Sequence, residues 1–144
     1  MEPKDLPPEN EAAISASAEK GRLAWKQGDI ATAEASFLDA WRAIPEPRAE
    51  YDYAQSLARG LVDFYRDTKQ YEKAYSWLPT VREVYGGGYN PSVEFLAARV
   101  AFEAGDTDEA FRIFDALYKQ YKTRPFQGYD SKYLKFYRQQ AGKR

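Results

Sequence analysis

The chain has 144 residues, with 21 Lys and Arg against 22 Asp and Glu and with neither His nor Cys. That length suits one domain, and a mean hydropathy of -0.73 suits one that faces water. Without Cys or His there are no disulfides, thiolate metal sites, thiol nucleophiles, imidazole ligands or Ser-His-Asp triads.

The opening Met1-Glu2-Pro3-Lys4-Asp5-Leu6-Pro7-Pro8 is polar and rich in Pro, unlike the basic and then apolar start of an export signal. Residues 1–10 are expected to be disordered, ahead of a single domain over 11–144. The chain reads as cytoplasmic; a cleaved export signal ahead of an added Met1 is the alternative. No run of 18 apolar residues occurs, so no membrane span is expected.

From there on the pattern is helical, with apolar residues at i, i+3 and i+4. Ile30, Ala33, Phe37, Ala40, Trp41 and Ile44 form one stripe, and Ala110, Phe111, Phe114, Leu117, Tyr118 and Tyr121 form another. Breakers separate them: Gly28-Asp29, Pro45-Glu46-Pro47, Gly86-Gly87-Gly88, Gly105-Asp106 and the stretch from Pro125 to Gly128. Asn90-Pro91 is a helix start, an N-cap followed by Pro at the first helical position. Seven helices are predicted, at roughly 9–26, 30–44, 48–67, 71–85, 91–104, 107–121 and 130–140. Pro79 lacks an N–H for the carbonyl of Tyr75, which predicts a kink or break near Trp77-Leu78.

Three segments repeat: Lys26-Gln27-Gly28-Asp29-Ile30-Ala31-Thr32-Ala33, Thr68-Lys69-Gln70-Tyr71-Glu72-Lys73-Ala74 and Ala104-Gly105-Asp106-Thr107-Asp108-Glu109-Ala110. A large apolar residue follows each final Ala by four positions: Phe37, Leu78 and Phe114. The Ala-to-Ala spacings are 41 and 36 residues. This pattern resembles the tetratricopeptide repeat (TPR) family, whose helix–turn–helix unit is about 34 residues long. The small residues of each first helix would be Gly21, Val62 and Ala98. The resemblance implies an all-α, short right-handed solenoid of three helix–turn–helix repeats, about 14–47, 48–88 and 91–124, plus a C-terminal capping helix at about 130–140. The seven residues by which the first spacing exceeds the family period suggest a longer first helix in repeat two, by about two turns. Asp130 is the expected N-cap of the last helix, with Tyr133, Leu134, Phe136 and Tyr137 on its apolar face.

The resemblance also implies a partner-binding groove lined by the first helix of each repeat. Carried onto this sequence, the candidate contacts are Arg22, Trp25 and Lys26, then Arg59, Asp63 and Arg66, then Phe95, Arg99 and Phe102. Arg and Trp join large contact area to directed hydrogen bonds, as interface anchors do. The Asn and Lys positions of the family's chaperone-tail clamp are not filled, so that activity is not inferred. A secondary surface is expected from Tyr85 and Tyr89, which flank the Gly loop, and from Lys132, Lys135 and Arg138. Residues 119–144 hold eight basic residues and one acidic, a charge of +7 in a chain whose net charge is -1. Basic charge among aromatic rings can hold single-stranded nucleic acid. Rings at helical spacing point instead to a packed cap, so nucleic acid is the lesser expectation.

The Gly86-Gly87-Gly88 loop is no phosphate cradle, because no strand precedes it and no Gly-Lys-Ser/Thr follows. Asp63 and Asp67 share a helix face, yet nothing marks a sugar cleft beside them. No enzyme activity, cofactor or metal is expected. The reading is a non-catalytic protein-interaction module that holds or sequesters a protein or peptide partner. Phe126 to Tyr137 is similar to small bacterial TPR-like proteins associated with polymorphic toxins, which implies a toxin-neutralising immunity protein. A general adaptor or co-chaperone scaffold is the other course.

Overall fold

A turn used three times organises the chain in the computed structural model, which describes residues 4–144. Gly28, Lys69 and Gly105 have φ of 81°, 63° and 86°, the left-handed region that closes a helix. The amide after each donates back five residues: Asp29 to the Ala24 carbonyl (2.8 Å), Gln70 to Tyr65 (2.8 Å) and Asp106 to Ala101 (2.9 Å). The helices these turns join are α1 (Pro8–Lys26) with α2 (Ile30–Arg42), α3 (Asp52–Asp67) with α4 (Tyr71–Val84), and α5 (Pro91–Glu103) with α6 (Thr107–Tyr121). A last helix, α7 (Lys132–Lys143), follows a 3-10 turn at Arg124–Phe126. The described residues contain no strand, so the chain is all-α as expected.

Each helix packs chiefly on its hairpin partner, and the hairpins then meet along two rows. In the first row the Trp25 ring of α1 meets the Phe64 ring of α3 edge-on at 5.2 Å. Arg59 of α3 donates to Ser92 Oγ of α5 (3.0 Å), and Phe102 of α5 meets Tyr133 of α7 at 5.2 Å. In the second row Trp41 of α2 meets Trp77 of α4 at 5.2 Å, and the Tyr75 hydroxyl of α4 donates to Asp106 at the start of α6. Phe111 of α6 stacks on Tyr137 of α7 at 5.5 Å. Such ring pairs add about 0.5–1.5 kcal/mol each beyond the area they bury. Between the rows lie the small and branched residues of the repeated pattern. Ala33, Ala74 and Ala110 are fully buried, as are Val62 and Ala98, which lets backbones approach closely.

Several expectations need correction. The seven extra residues before repeat two do not lengthen its first helix, which has 16 residues against 19 in α1. They form a loop around a 3-10 turn at Arg48–Glu50, because Pro45 and Pro47 resist helix and Arg48 Nε donates to the Trp41 carbonyl (3.0 Å). Pro79 does not break α4, which runs unbroken to Val84; Leu78 and Val81 are buried on either side and hold the helix against the missing hydrogen bond. The N-terminal segment expected to be disordered is helical from Pro8, and the Lys4 amide donates to the Glu50 carbonyl (2.9 Å). Residues 1–3 of that segment lie outside the described residues. Asp130 precedes the N-cap of α7 by one position, yet its carboxylate accepts from the Lys132 amide (3.0 Å) and does the capping work. No helix among the described residues is long and apolar enough to cross a membrane.

Candidate partner-binding face

The exposed side of the first row, formed by α1, α3 and α5, carries most of the expected contacts. They separate into reachable and unreachable sets. Arg22 is exposed, held among the described residues only by Glu19 one turn earlier (2.9 Å). Lys26 is exposed as well, and Trp25 is half-buried, its ring lodged between Phe37 and Phe64. Together with Ser56, Leu57 and Gly60 of α3, Arg22 and Trp25 line a groove of about 220 Å³ between α1 and α3. Gly60 leaves that groove open, since a Cβ built there meets nothing within 4 Å.

Two candidates are buried and do not face the groove between α1 and α3. Phe95 is only 2 % exposed, its ring seated among Phe114, Phe126, Tyr129 and Tyr133. It belongs to the core, because α5 turns that face toward α6 and α7. Arg66, 5 % exposed, is buried too, and its guanidinium is used internally: Nη1 donates to Asp63 (2.7 Å) and Nε to Asp67 (3.1 Å). Burial works against the Arg66 charge, but Asp63 and Asp67 outweigh it and raise its pKa. Asp63 is shared, for Arg99 Nη1 also lies 3.9 Å away.

Arg99 is largely buried, and among the described residues its Nε has no acceptor. Its guanidinium sits over the rings of Tyr129 (4.6 Å) and Tyr133 (5.6 Å), which supplies cation–π attraction in place of a hydrogen bond. Arg59 reaches the same Tyr129 hydroxyl at 3.4 Å. Phe102 is half-buried against Tyr133 and Phe136, with the Lys132 ammonium 5.8 Å from its ring centre. The candidates on α3 and α5 thus form one internally bonded cluster rather than a free surface. Arg22, Trp25 and Lys26 remain open.

The secondary surface divides similarly. Tyr85 is half-buried and Tyr89 is 59 % exposed. Lys132 pairs with Glu103 at 2.6 Å, while Lys135 and Arg138 lie on the exposed face of α7. Among the described residues no hydrogen bond, ion pair or ring contact joins the two tyrosines to these cations. The C-terminal rings are mostly spoken for: Phe126, Tyr133 and Tyr137 are buried, which leaves Tyr129 at 38 % as the one exposed large ring of that region among the described residues.

Sequence reasoning missed Leu23 (51 % exposed) and Gly60, and took Tyr129 only as one of the rings of the basic C-terminal end. A Leu flanked by polar positions on a helix face and a Gly inside a helix are both visible signals. The contacts of Tyr129 with Arg99 and Arg59 had none, because they follow from the path of the chain between two helices. Comparison with family models, curated proteins and solved structures finds no match to this chain.

Proposed function

We propose that this chain is a non-catalytic protein-binding module, a short TPR-like solenoid that holds a protein partner along its first-row helices. The groove between α1 and α3 carries the reading. An exposed Arg22 and a half-buried Trp25 stand beside a floor kept low by Gly60. Large, well-anchored aromatic and Arg side chains beside a vacant apolar depression are what a binding hot spot requires. The walls are preformed, because Trp25 is wedged between Phe37 and Phe64 and loses little freedom when a partner docks.

The test is affinity capture from source cells, comparing the wild type with Gly60→Trp. A Cβ at position 60 meets no neighbouring atom, so the indole starts from open space in the groove, and an unchanged melting temperature is the check that the fold is intact. A protein retained by the wild type and lost by Gly60→Trp is the expected result. Equal retention by both would remove the groove from the account.

A further inference from the structure

A second cavity, of about 320 Å³, opens between the start of α5, the end of α6 and the Arg124–Phe126 turn. Its walls include Pro91, Phe95, Tyr121, Arg124, Pro125 and Tyr129. These groups are stiff: two are prolines, and the Tyr129 ring lies on Phe95 at 4.7 Å while Arg99 and Arg59 hold it from α5 and α3. The turn that carries Tyr129 is fastened by its own backbone, with Gln127 donating to Arg124 (3.2 Å) and Tyr129 to Phe126 (3.3 Å). Tyr129 and Tyr89 are two of the three large apolar side chains exposed among the described residues. Tyr89 lies near Tyr121, one of the cavity's walls: burial first, then Tyr121 and Glu94, raise its pKa.

The electrostatics are one-sided. Arg124 is the only charged residue lining the cavity, and among the described residues its side chain has no hydrogen-bond or ion-pair partner. Of the eight cations between Lys119 and Arg144, Lys119, Lys132 and Arg144 are paired with carboxylates; Lys122, Arg124, Lys135, Arg138 and Lys143 have no carboxylate partner among the described residues.

We propose that this cavity is an anchor site for an acidic segment of a protein partner, taking one aromatic side chain against Tyr121 and Tyr129 while a neighbouring carboxylate pairs with Arg124. The inference rests on the protein-binding reading and adds the chemistry of the partner. Rings and prolines offer flat apolar walls to an incoming ring at small entropic cost. A planar guanidinium with free donors takes a carboxylate in a bidentate pair. The unpaired Arg124, with Lys122 two residues before it, favours the approach of an acidic chain. Nucleic acid fits less well, since base stacking needs a series of open rings and most rings here are packed.

The probe is an acetylated peptide, Asp-Glu-Trp-Asp-Glu, titrated into the full nitrogen-15-labelled chain and followed by amide chemical shifts. The Ser92, Gln127 and Tyr129 amides are expected to move, with saturation at millimolar peptide, as suits a short single-anchor ligand. Replacing the peptide's Trp by Ser should weaken binding about tenfold. Arg124→Glu should weaken it about fivefold at an unchanged melting temperature. Gly60→Trp should leave it intact, so a failed groove and a failed anchor site are distinguishable. Shifts confined to Lys135, Arg138 and Lys143, and equal for the Trp and Ser peptides, would reduce the interaction to general charge and overturn the proposal. An oligothymidylate that moves the cavity amides more than the peptide does would also overturn it, as would no shift at about 5 mM peptide.

Discussion

Gly21 and Gly60 both sit inside first-row helices, and alanine at the two positions should have opposite effects. Alanine exceeds glycine by about 1 kcal/mol in a helix interior. At Gly60 a Cβ meets nothing within 4 Å, so Gly60→Ala should gain that amount, raising the melting temperature by about 4 °C. At Gly21 the same Cβ falls 2.7 Å from two ring atoms of Phe37, where ordinary contact begins at 3.4 Å. Trp25 (6.1 Å) and Phe64 (5.4 Å) pack against the ring and restrict its retreat. Overpacking costs about 1–3 kcal/mol, so after the helical gain Gly21→Ala should lose about 0–2 kcal/mol. Thermal and urea unfolding followed by circular dichroism would read both variants, with equal urea slopes as the check on two-state behaviour. If Gly21→Ala proved as stabilising as Gly60→Ala, the seating of Phe37 on α1 would be wrong, and with it the packing of the first hairpin.

Other outcomes follow from the same structure. Lys69 adopts φ 63° in a turn where the other two hairpins use glycine; Lys69→Gly should therefore stabilise by about 0.5–1 kcal/mol in urea unfolding. Asp63→Ala strips a carboxylate from buried Arg66 and the one paired with Arg99 among the described residues, and because Asp63 is a third exposed the cost should be about 1–3 kcal/mol. Arg66→Met should lie nearer neutral, because it removes the buried charge along with the pair. Burial, and then the hydrogen bond to Asp115, push the Tyr137 hydroxyl up to about 12 from its ordinary 10.0. A raised pKa favours the folded chain below the ordinary value, so this contribution should persist to about pH 10 and disappear as pH rises to 12. Phenolate absorbance recorded together with helix content would show the two changing in step.

Much of the fold was legible because it is local. The stripes of Phe37 with Ala40 and of Phe114 with Leu117 mark one helix face each. The Gly-Asp pairs at 28–29 and 105–106 mark turns whose chemistry does not depend on the rest of the chain. Lys69 shows the same turn written without glycine, recoverable only by aligning it with the other two. What stayed hidden depends on contacts between distant segments. Phe95 looks like a groove residue by its position on a first helix, yet α6 and the segment around Phe126 close over it. Arg66 looks like a free cation until the placement of Asp63 and Asp67 accounts for its donors. Tyr129 acquires its role only once a turn about a hundred residues from α1 is laid against α3 and α5.

The most direct test of the account is calorimetric titration of the captured partner against the wild type, Gly60→Trp and the distant surface variant Arg112→Glu. The account predicts at least a tenfold loss of affinity for Gly60→Trp and less than about a twofold change for Arg112→Glu, with all three melting normally. Equal affinities for the wild type and Gly60→Trp would contradict it.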